Sequence, residues 1–358
     1  MNVVSATPGS PFGSFDTPLN NTAGIAGAIP VTGWALDSIG ITSVGIYRDR
    51  LAGETPGSNG LIFVGDAIFV PGARPDVEST YPNAPSNYQA GWGYMLLTNM
   101  LPNNGGSSGL GNGTYNLHAI ATNAAGTTHD LGTRTITVDN AHASKPFGTI
   151  DTPAQGGTVS GSAFVNYAWA LTQNPNVIAT DGSTLSVIMD GVTLGHPTYN
   201  QYRSDIATLF PGLANSNGAV GFFYIDSTTL SNGMHTLSWV ATDSAGHTDG
   251  LGSRYFTVLN NGGVAATGET AIHSTPSTAM SSIEIEELGP IQVEVGARDG
   301  FLIVNGERRP LPIGSTLVDG IFYWQPGPGF LGDYQFIFER AGARPMRINL
   351  TIRPLTVH

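Results

Sequence analysis

Two glycine-rich patterns have spacings that could do chemistry. Gly105-Gly106-Ser107-Ser108-Gly109 fits G-x-S-x-G, the turn that exposes a hydrolase nucleophile. That chemistry needs a strand before the serine and a helix after it, whereas this serine sits among Asn and Gly ahead of a hairpin, so it reads as a loop. Gly327-Pro328-Gly329-Phe330-Leu331-Gly332 fits G-x-G-x-x-G. A strand follows it, so no helix N-terminus is available to hold a phosphate. The eight histidines stand singly, without the HxH or HxxxH spacing of a metal site. Glutamate is scarce before residue 260, which leaves little for a paired-carboxylate glycosidase. The chain is expected not to be an enzyme.

Two constellations remain. Oxygen-bearing turns at Asp37, Asp139-Asn140, Asp243 and Asp249 have the hard ligands that calcium takes. The same residue types occur in turns because they close Asx-turns, and both readings stand at this point. Aromatic residues cluster in two long segments: Tyr81, Tyr88, Trp92 and Tyr94 in one, Tyr199, Tyr202, Phe222 and Phe223 in the other. Exposed rings could stack on the faces of sugars; rings folded inward would instead give each segment a small core.

The elements that position these residues follow from a repeat. Residues 121–138 align without a gap with residues 241–258, sharing Ala-Thr at the start, Ala-Gly in the turn, Leu-Gly, an Arg and Thr-Val at the end. Pro11-Phe12-Gly13 with Asp16-Thr17-Pro18 recurs as Pro146-Phe147-Gly148 with Asp151-Thr152-Pro153, which sets a boundary near 141–145. A repeat of this kind means one structural unit used twice. The chain divides into a lead at 1–10, repeats at 11–140 and 145–260, a small polar linker at 261–282, and a distinct unit at 283–354.

Composition supports strands over helices. There are 48 Gly and 23 Pro in 358 residues, with only 11% charged residues. Apolar strands are expected at 29–36 and 163–171, with Trp34 and Trp169 filling the gap of roughly 10 Å between two sheets. Asn112-Gly113 and Asn232-Gly233 precede further strands, as turn residues that tolerate positive φ. The insertions at 70–94 and 197–223 carry Arg74-Pro75-Asp76 and Arg203-Ser204-Asp205, in which Arg and Asp can pair and pin the loop. The last unit has alternating runs at 291–295, 301–304, 321–324, 334–338 and 346–352.

Net charge is −12 and Lys145 is the only lysine, so no basic stripe exists for nucleic acid or an anionic membrane. Cysteine is absent, which excludes disulfides and thiolate-bound metals. No apolar run reaches the ~18–20 residues that span a bilayer. The N-terminal residues lack the basic start and apolar core of a signal peptide, so the chain is expected to be longer at one or both ends.

The stretches Gly33-Trp34-Ala35-Leu36-Asp37, Gly72-Ala73-Arg74-Pro75-Asp76-Val77, Gly91-Trp92-Gly93-Tyr94 and Ala241-Thr242-Asp243-Ser244-Ala245-Gly246 resemble the tandem bacterial Ig-like modules of large secreted or surface proteins, over about 11–260. The last unit, with 319–326 and Gly332-Asp333-Tyr334, is similar to a cadherin-like or Ig-like module of a second type. The resemblance implies an all-β fold of tandem immunoglobulin-like β-sandwiches, two related repeats plus a smaller C-terminal sandwich. It implies a structural, adhesive or accessory segment outside the cytoplasm; a polysaccharide or protein partner at the cell surface and calcium at the turns named above stay open readings of the residues themselves. A carbohydrate-binding accessory region of a secreted enzyme and a self-associating filament subunit are the alternatives. It supplies no catalytic residues. A Lys–Asn isopeptide crosslink, a device of surface Ig-like modules, is not expected, because Lys145 lies between units.

Overall fold

The computed structural model describes residues 9–105, 111–260 and 279–356. Ser107 and Ser108 of the G-x-S-x-G pattern and most of the 261–282 linker lie outside the described residues. The fold is three β-sandwiches. No helix is long and apolar enough to cross a membrane among the described residues.

The first repeat runs β1 (Phe12–Thr17), β2 (Thr22–Ile25), β3 (Ala28–Leu36), β4 (Ile41–Asp49), β5 (Leu61–Asp66), β6 (Ile68–Phe69), α1 (Pro75–Thr80), β7 (Gly91–Leu97), β8 (Gly113–Asn123) and β9 (Thr128–Val138). Its sheets are β1-β3-β7-β6 and β2-β9-β8-β4-β5. The chain starts antiparallel to β3 and crosses at the Asp-Thr-Pro turn to run parallel to β9, so the first strand is divided between both sheets.

The second repeat follows the same course: β10 (Phe147–Thr152), β11 (Gly157–Val159), β12 (Phe164–Leu171), β13 (Leu185–Met189), β14 (Val192–Gly195), β15 (Thr198–Gln201), α2 (Ser204–Leu209), β16 (Val220–Ile225), β17 (Gly233–Thr242) and β18 (Thr248–Val258). Its sheets are β10-β12-β16-β15 and β11-β18-β17-β13-β14. The shared Leu-Gly-x-Arg has a structural reason. Gly132 and Gly252 adopt φ of +136° and +117°, beside the bulge where the two hairpin strands change register. Arg134 and Arg254 then reach across to the carbonyl oxygens of Phe15 and Ile150 in the opposite sheet.

Trp34 and Trp169 do not fill the space between the sheets. Side chains alternate along a strand, and on β3 it is Ile29, Val31 and Ala35 that enter the inter-sheet core. Trp34 stands on the outer face, 5.9 Å from the Phe12 ring and 5.5 Å from Tyr81. Trp169 stands likewise against Phe147 and Phe210, at 6.1 and 5.3 Å. The inter-sheet position belongs to Trp92 on β7 and Trp239 on β17, both wholly buried. These come from opposite sheets. Gly221 occupies the place of Trp92 in the second repeat and Ala119 that of Trp239 in the first, so each core holds one indole opposite one small residue.

The insertions are ordered around the expected Arg and Asp. Arg74 binds Asp76 in the first turn of α1 and also Asp16 of the Asp-Thr-Pro turn; Arg203 binds Asp205 and Asp151 in the same way. One guanidinium thus ties the insertion to the start of its own repeat.

The C-terminal unit begins earlier than expected, with β19 (Ala279–Glu286) starting inside the 261–282 segment. It continues through β20 (Ile291–Glu294), β21 (Asp299–Val304), β22 (Glu307–Arg309), β23 (Ser315–Val318), β24 (Ile321–Trp324), β25 (Gly332–Glu339) and β26 (Met346–Arg353). Its sheets are β19-β26-β25-β21-β22 and β20-β24-β23. Its core is continuous with both repeats: Val70 and Ala73 of the first and Tyr255 of the second pack with Trp324, Phe330 and Tyr334. The repeats also join each other, since Ala28 and Leu97 pack against Phe147 and Trp169.

The G-x-G-x-x-G pattern is the contact between units. A Cβ on Gly93 would overlap the Pro328 carbonyl, and one on Gly327 would overlap the Tyr255 hydroxyl. The Tyr255 hydroxyl donates to Pro328 O at 3.0 Å, and the Tyr334 hydroxyl donates to Ala73 O at 2.6 Å. Gly93 makes room for the Pro328 backbone and Gly327 for the Tyr255 phenol, so the pattern serves packing between units. Glu287 is buried in the same interface, facing the Thr17 and Thr32 hydroxyls, which bond each other, and the Gly329 amide. Neither carboxyl oxygen completes a hydrogen bond of good geometry. Burial pushes its pKa from 4.5 to about 8, with Asp16 adding in the same direction and the nearby hydroxyls opposing.

Two outcomes test this interface. Gly93→Val is expected to lower stability by about 1–3 kcal/mol or more through overpacking and to expose the C-terminal unit to limited proteolysis. Unchanged melting and digestion would contradict it. Because Glu287 holds its proton when folded and loses it at about 4.5 when unfolded, its stabilising contribution is full below that pH and falls as pH rises through about 8. Buried His235, bonded to Asp190 and Ser231 O with its pKa raised by Asp190 against the effect of burial, acts in the same direction. Glu287→Gln is therefore expected to raise the melting temperature at pH 8 and reduce the loss between pH 5 and 9, measured by thermal denaturation.

Candidate functional site

The aromatic residues picked out as a sugar platform separate into two groups. In the first repeat they turn inward. Trp92 has no exposed surface, and Tyr94 packs beside it with a phenol pKa raised by burial. Tyr81 closes over Trp34 and Phe12, and the Tyr88 hydroxyl accepts from Gln89 Nε2 at 2.6 Å. In the second repeat Tyr199 is buried and donates to Ala170 O at 2.7 Å. Trp92, Tyr94 and Tyr199 thus form no exposed platform: each packs against the inter-sheet core of its own repeat.

Tyr202 is different, at 67% exposure. It borders an open hollow with Tyr167 on β12 and Phe222 on β16. Tyr167 and Phe222 are direct cross-strand partners with ring centroids 6.0 Å apart, and Tyr224, two residues along the strand, lies 5.7 Å from Phe222. Tyr167 and Tyr224 are 42% and 63% exposed. The alternation that sends Gly221 and Ala168 to the core sends these rings outward. Helix α2 covers only the other end of that face, over Trp169 and Leu171. Tyr167 and Tyr224 were not singled out from the sequence. Gapless alignment of β12 with β3 would have found Tyr167, since Thr32 stands at its place.

The hollow is edged by polar groups. Arg203 gives Nε to Asp205 Oδ1 at 2.7 Å and Nη1 to Asp151, leaving Nη2 without a partner among the described residues. Its guanidinium is raised above its ordinary pKa: burial lowers it, but the Asp151 and Asp205 bonds outweigh that. Gln201, from β15, adds an amide whose nitrogen donates to Tyr199 O at 3.1 Å.

The acidic turns also divide. Asp243 Oδ1 accepts from the amides of Ala245 and His247 at 2.9 and 3.0 Å, and Oδ2 accepts from Thr172 and Asn176 at 2.9 and 3.0 Å. Asp37 Oδ1 accepts from the Ile39 amide at 2.9 Å, and Oδ2 from Asn123 Nδ2 at 3.2 Å. Both are Asx-turns whose oxygens are already bonded. They form one compensated pattern, Asp37 with Asn123 in the first repeat and Thr172 with Asp243 in the second. Asp139, Asn140 and Asp249 come together instead, in one cleft at the junction of the repeats, with His142 and Lys145. There His142 Nδ1 lies 2.8 Å from Asp139, and Asn140 Oδ1 accepts from the Gly27 amide and Thr98 Oγ1 at 3.1 and 3.0 Å. Burial raises the Asp249 pKa, against the opposing charge of Lys145. Among the described residues no three His, Cys, Asp or Glu side chains converge on one point.

Burial would raise the Asp243 pKa, but the bonds from His247, Thr172 and Ala245 outweigh it and hold it below the usual carboxylate value. Asp243→Ala strips five contacts from a buried turn, the fifth with His247 Nδ1 at 3.1 Å, and is expected to cost about 2 kcal/mol or more. Asp243→Asn keeps the Oδ1 contacts, as Asn123 does, and is expected to cost less; chemical denaturation of both variants checks the order.

No protein-family model matches the chain, and no curated protein does. Solved structures with some likeness include the fibronectin(III)-like modules of Clostridium thermocellum CbhA, at 14% identity over 69% of this chain and 94% of that one, with a TM-score of 0.23. The Bacteroides ovatus mixed-linkage glucan utilization locus SGBP-B, in complex with a mixed-linkage heptasaccharide, is 12% identical over 95% of this chain and 68% of that one, with a TM-score of 0.21. Extracellular domains 3–5 of Drosophila OTK are 10% identical over 95% and 97%, with a TM-score of 0.16. At such identities and TM-scores no functional argument rests on these likenesses.

Proposed function

We propose that the chain is a non-catalytic structural segment of a secreted or cell-surface protein, holding other parts of that protein or its partners at a fixed geometry. The observation that carries this reading is the shared core. Residues from all three units pack around Trp324 and Tyr334, and ion pairing across units, as between Arg309 and Glu78 at 3.1 Å, adds to it. Interfaces of this kind suppress the relative motion that tandem modules otherwise have. The pattern with the best claim to cofactor chemistry, 327–332, is used in that packing.

Antibody raised against the purified chain is expected to label intact source cells or their culture medium, and the chain to show no turnover of a panel of glycoside, ester and peptide substrates. Labelling only after permeabilisation would refute the location, and turnover would refute the non-catalytic assignment.

A further inference from the structure

We infer that the outer face of β12 and β16 in the second repeat, with Tyr167, Tyr202, Phe222 and Tyr224, is a binding platform for an uncharged polysaccharide. The inference goes beyond the structural role proposed above and does not depend on it.

The two repeats provide an internal comparison. In the first, the same face carries Thr32 and Gly93 at the places of Tyr167 and Phe222, by the pairing of β3 and β12 with their neighbours. There the face is covered. Gly93 lets the Pro328 backbone approach, and Glu287 lies against Thr32. Met95, at the place of Tyr224, is buried, and the side chain of Arg74 is only 10% exposed. In the second repeat a phenylalanine replaces the glycine that docking needs. A unit of the C-terminal type cannot seat on Phe222, and the matching arginine, Arg203, keeps 34% exposure. The face has exchanged a contact for backbone with a contact for flat rings.

The chemistry of the rim identifies the ligand. Exposed Tyr167, Tyr202 and Tyr224, with a half-buried Phe222 joining Tyr167 to Tyr224, mark a surface built to be covered. Ring faces favour ligands that present C–H groups in a plane, as pyranose rings do. Beside them, Arg203 Nη2 is a free donor and Asp151 Oδ1 a free acceptor among the described residues, held next to each other by the Arg203–Asp151 pair. A neighbouring donor and acceptor match two adjacent hydroxyls. Arg203 is already paired with both Asp151 and Asp205, so no unpaired cation is left to call for an anionic ligand. The Tyr167, Phe222 and Tyr224 rings follow one another at 6.0 and 5.7 Å, inclined by 50° and 81°, so together they offer several ring faces and edges to an extended chain and not one flat plane to a single sugar.

The test is affinity electrophoresis of the full chain through gels holding mixed-linkage β-glucan, xyloglucan, arabinoxylan, galactomannan or starch, followed by calorimetric titration with whichever retards it. At least one is expected to retard the chain. Tyr202→Ala and Tyr224→Ala, at sites exposed enough to leave folding intact, should each weaken binding about tenfold or more. Phe63→Ala, on an exposed aromatic of the first repeat, should leave it unchanged. Retardation by none of the five, or binding that ignores both tyrosine variants, overturns the inference. Concentration-dependent association of the chain that Tyr224→Ala abolishes would assign the face to a protein partner and overturn it equally.

Discussion

The seating of the C-terminal unit between the repeats depends on the close approach of backbone at residues 327–332. The loop can enter the seam between the repeats because Gly93 and Gly327 have no side chains there. Once inside, it brings Phe330 and Tyr334 into a core that already contains Val70, Ala73 and Tyr255. Three units that would separately be small sandwiches thereby become mutually dependent. Among the described residues the two tyrosine hydroxyls are satisfied by carbonyls across the interface or within the loop. Glu287, buried in the same interface beside Thr17, Thr32 and the Gly329 amide, has its pKa raised by burial to about 8, which makes the contact sensitive to pH.

The repeats show how one scaffold acquires two roles. Their frameworks agree down to the bulge glycines, the arginine that spans the sheets, and the Arg–Asp clasp at the insertion. They differ where neighbours differ. Inside, the large and small residues of each core are exchanged between sheets, Trp92 with Ala119 against Gly221 with Trp239. Outside, Thr32 and Gly93 accept another unit, whereas Tyr167 stays exposed beside a half-buried Phe222. Duplication supplied two equivalent faces, and side-chain size has given each a separate use.

Much of the architecture was legible from residue types. The gapless repeat announced two copies of one unit, alternation and glycine content announced strands, and Arg-x-Asp announced a pinned insertion. The faces of the strands were harder to assign. In β3, Pro30, Thr32 and Trp34 alternate with Val31, Gly33 and Ala35, and nothing local says that the tryptophan side is the outside, because α1 covers it. Ring sidedness in the insertions failed for the same reason. Contacts between units were invisible, since they are encoded by single glycines that carry no period and here resembled a nucleotide loop. The open face is encoded by Tyr167 and Phe222 standing where the first repeat has Thr32 and Gly93, a difference that gains meaning only from the unit packed on Gly93.

The claim that the three units form one body is tested most directly by small-angle X-ray scattering of the full chain. The account predicts a pair-distance distribution with a single maximum and a particle that keeps its dimensions between pH 5 and 7. A distribution with separated maxima, from units strung out along the chain, would contradict it.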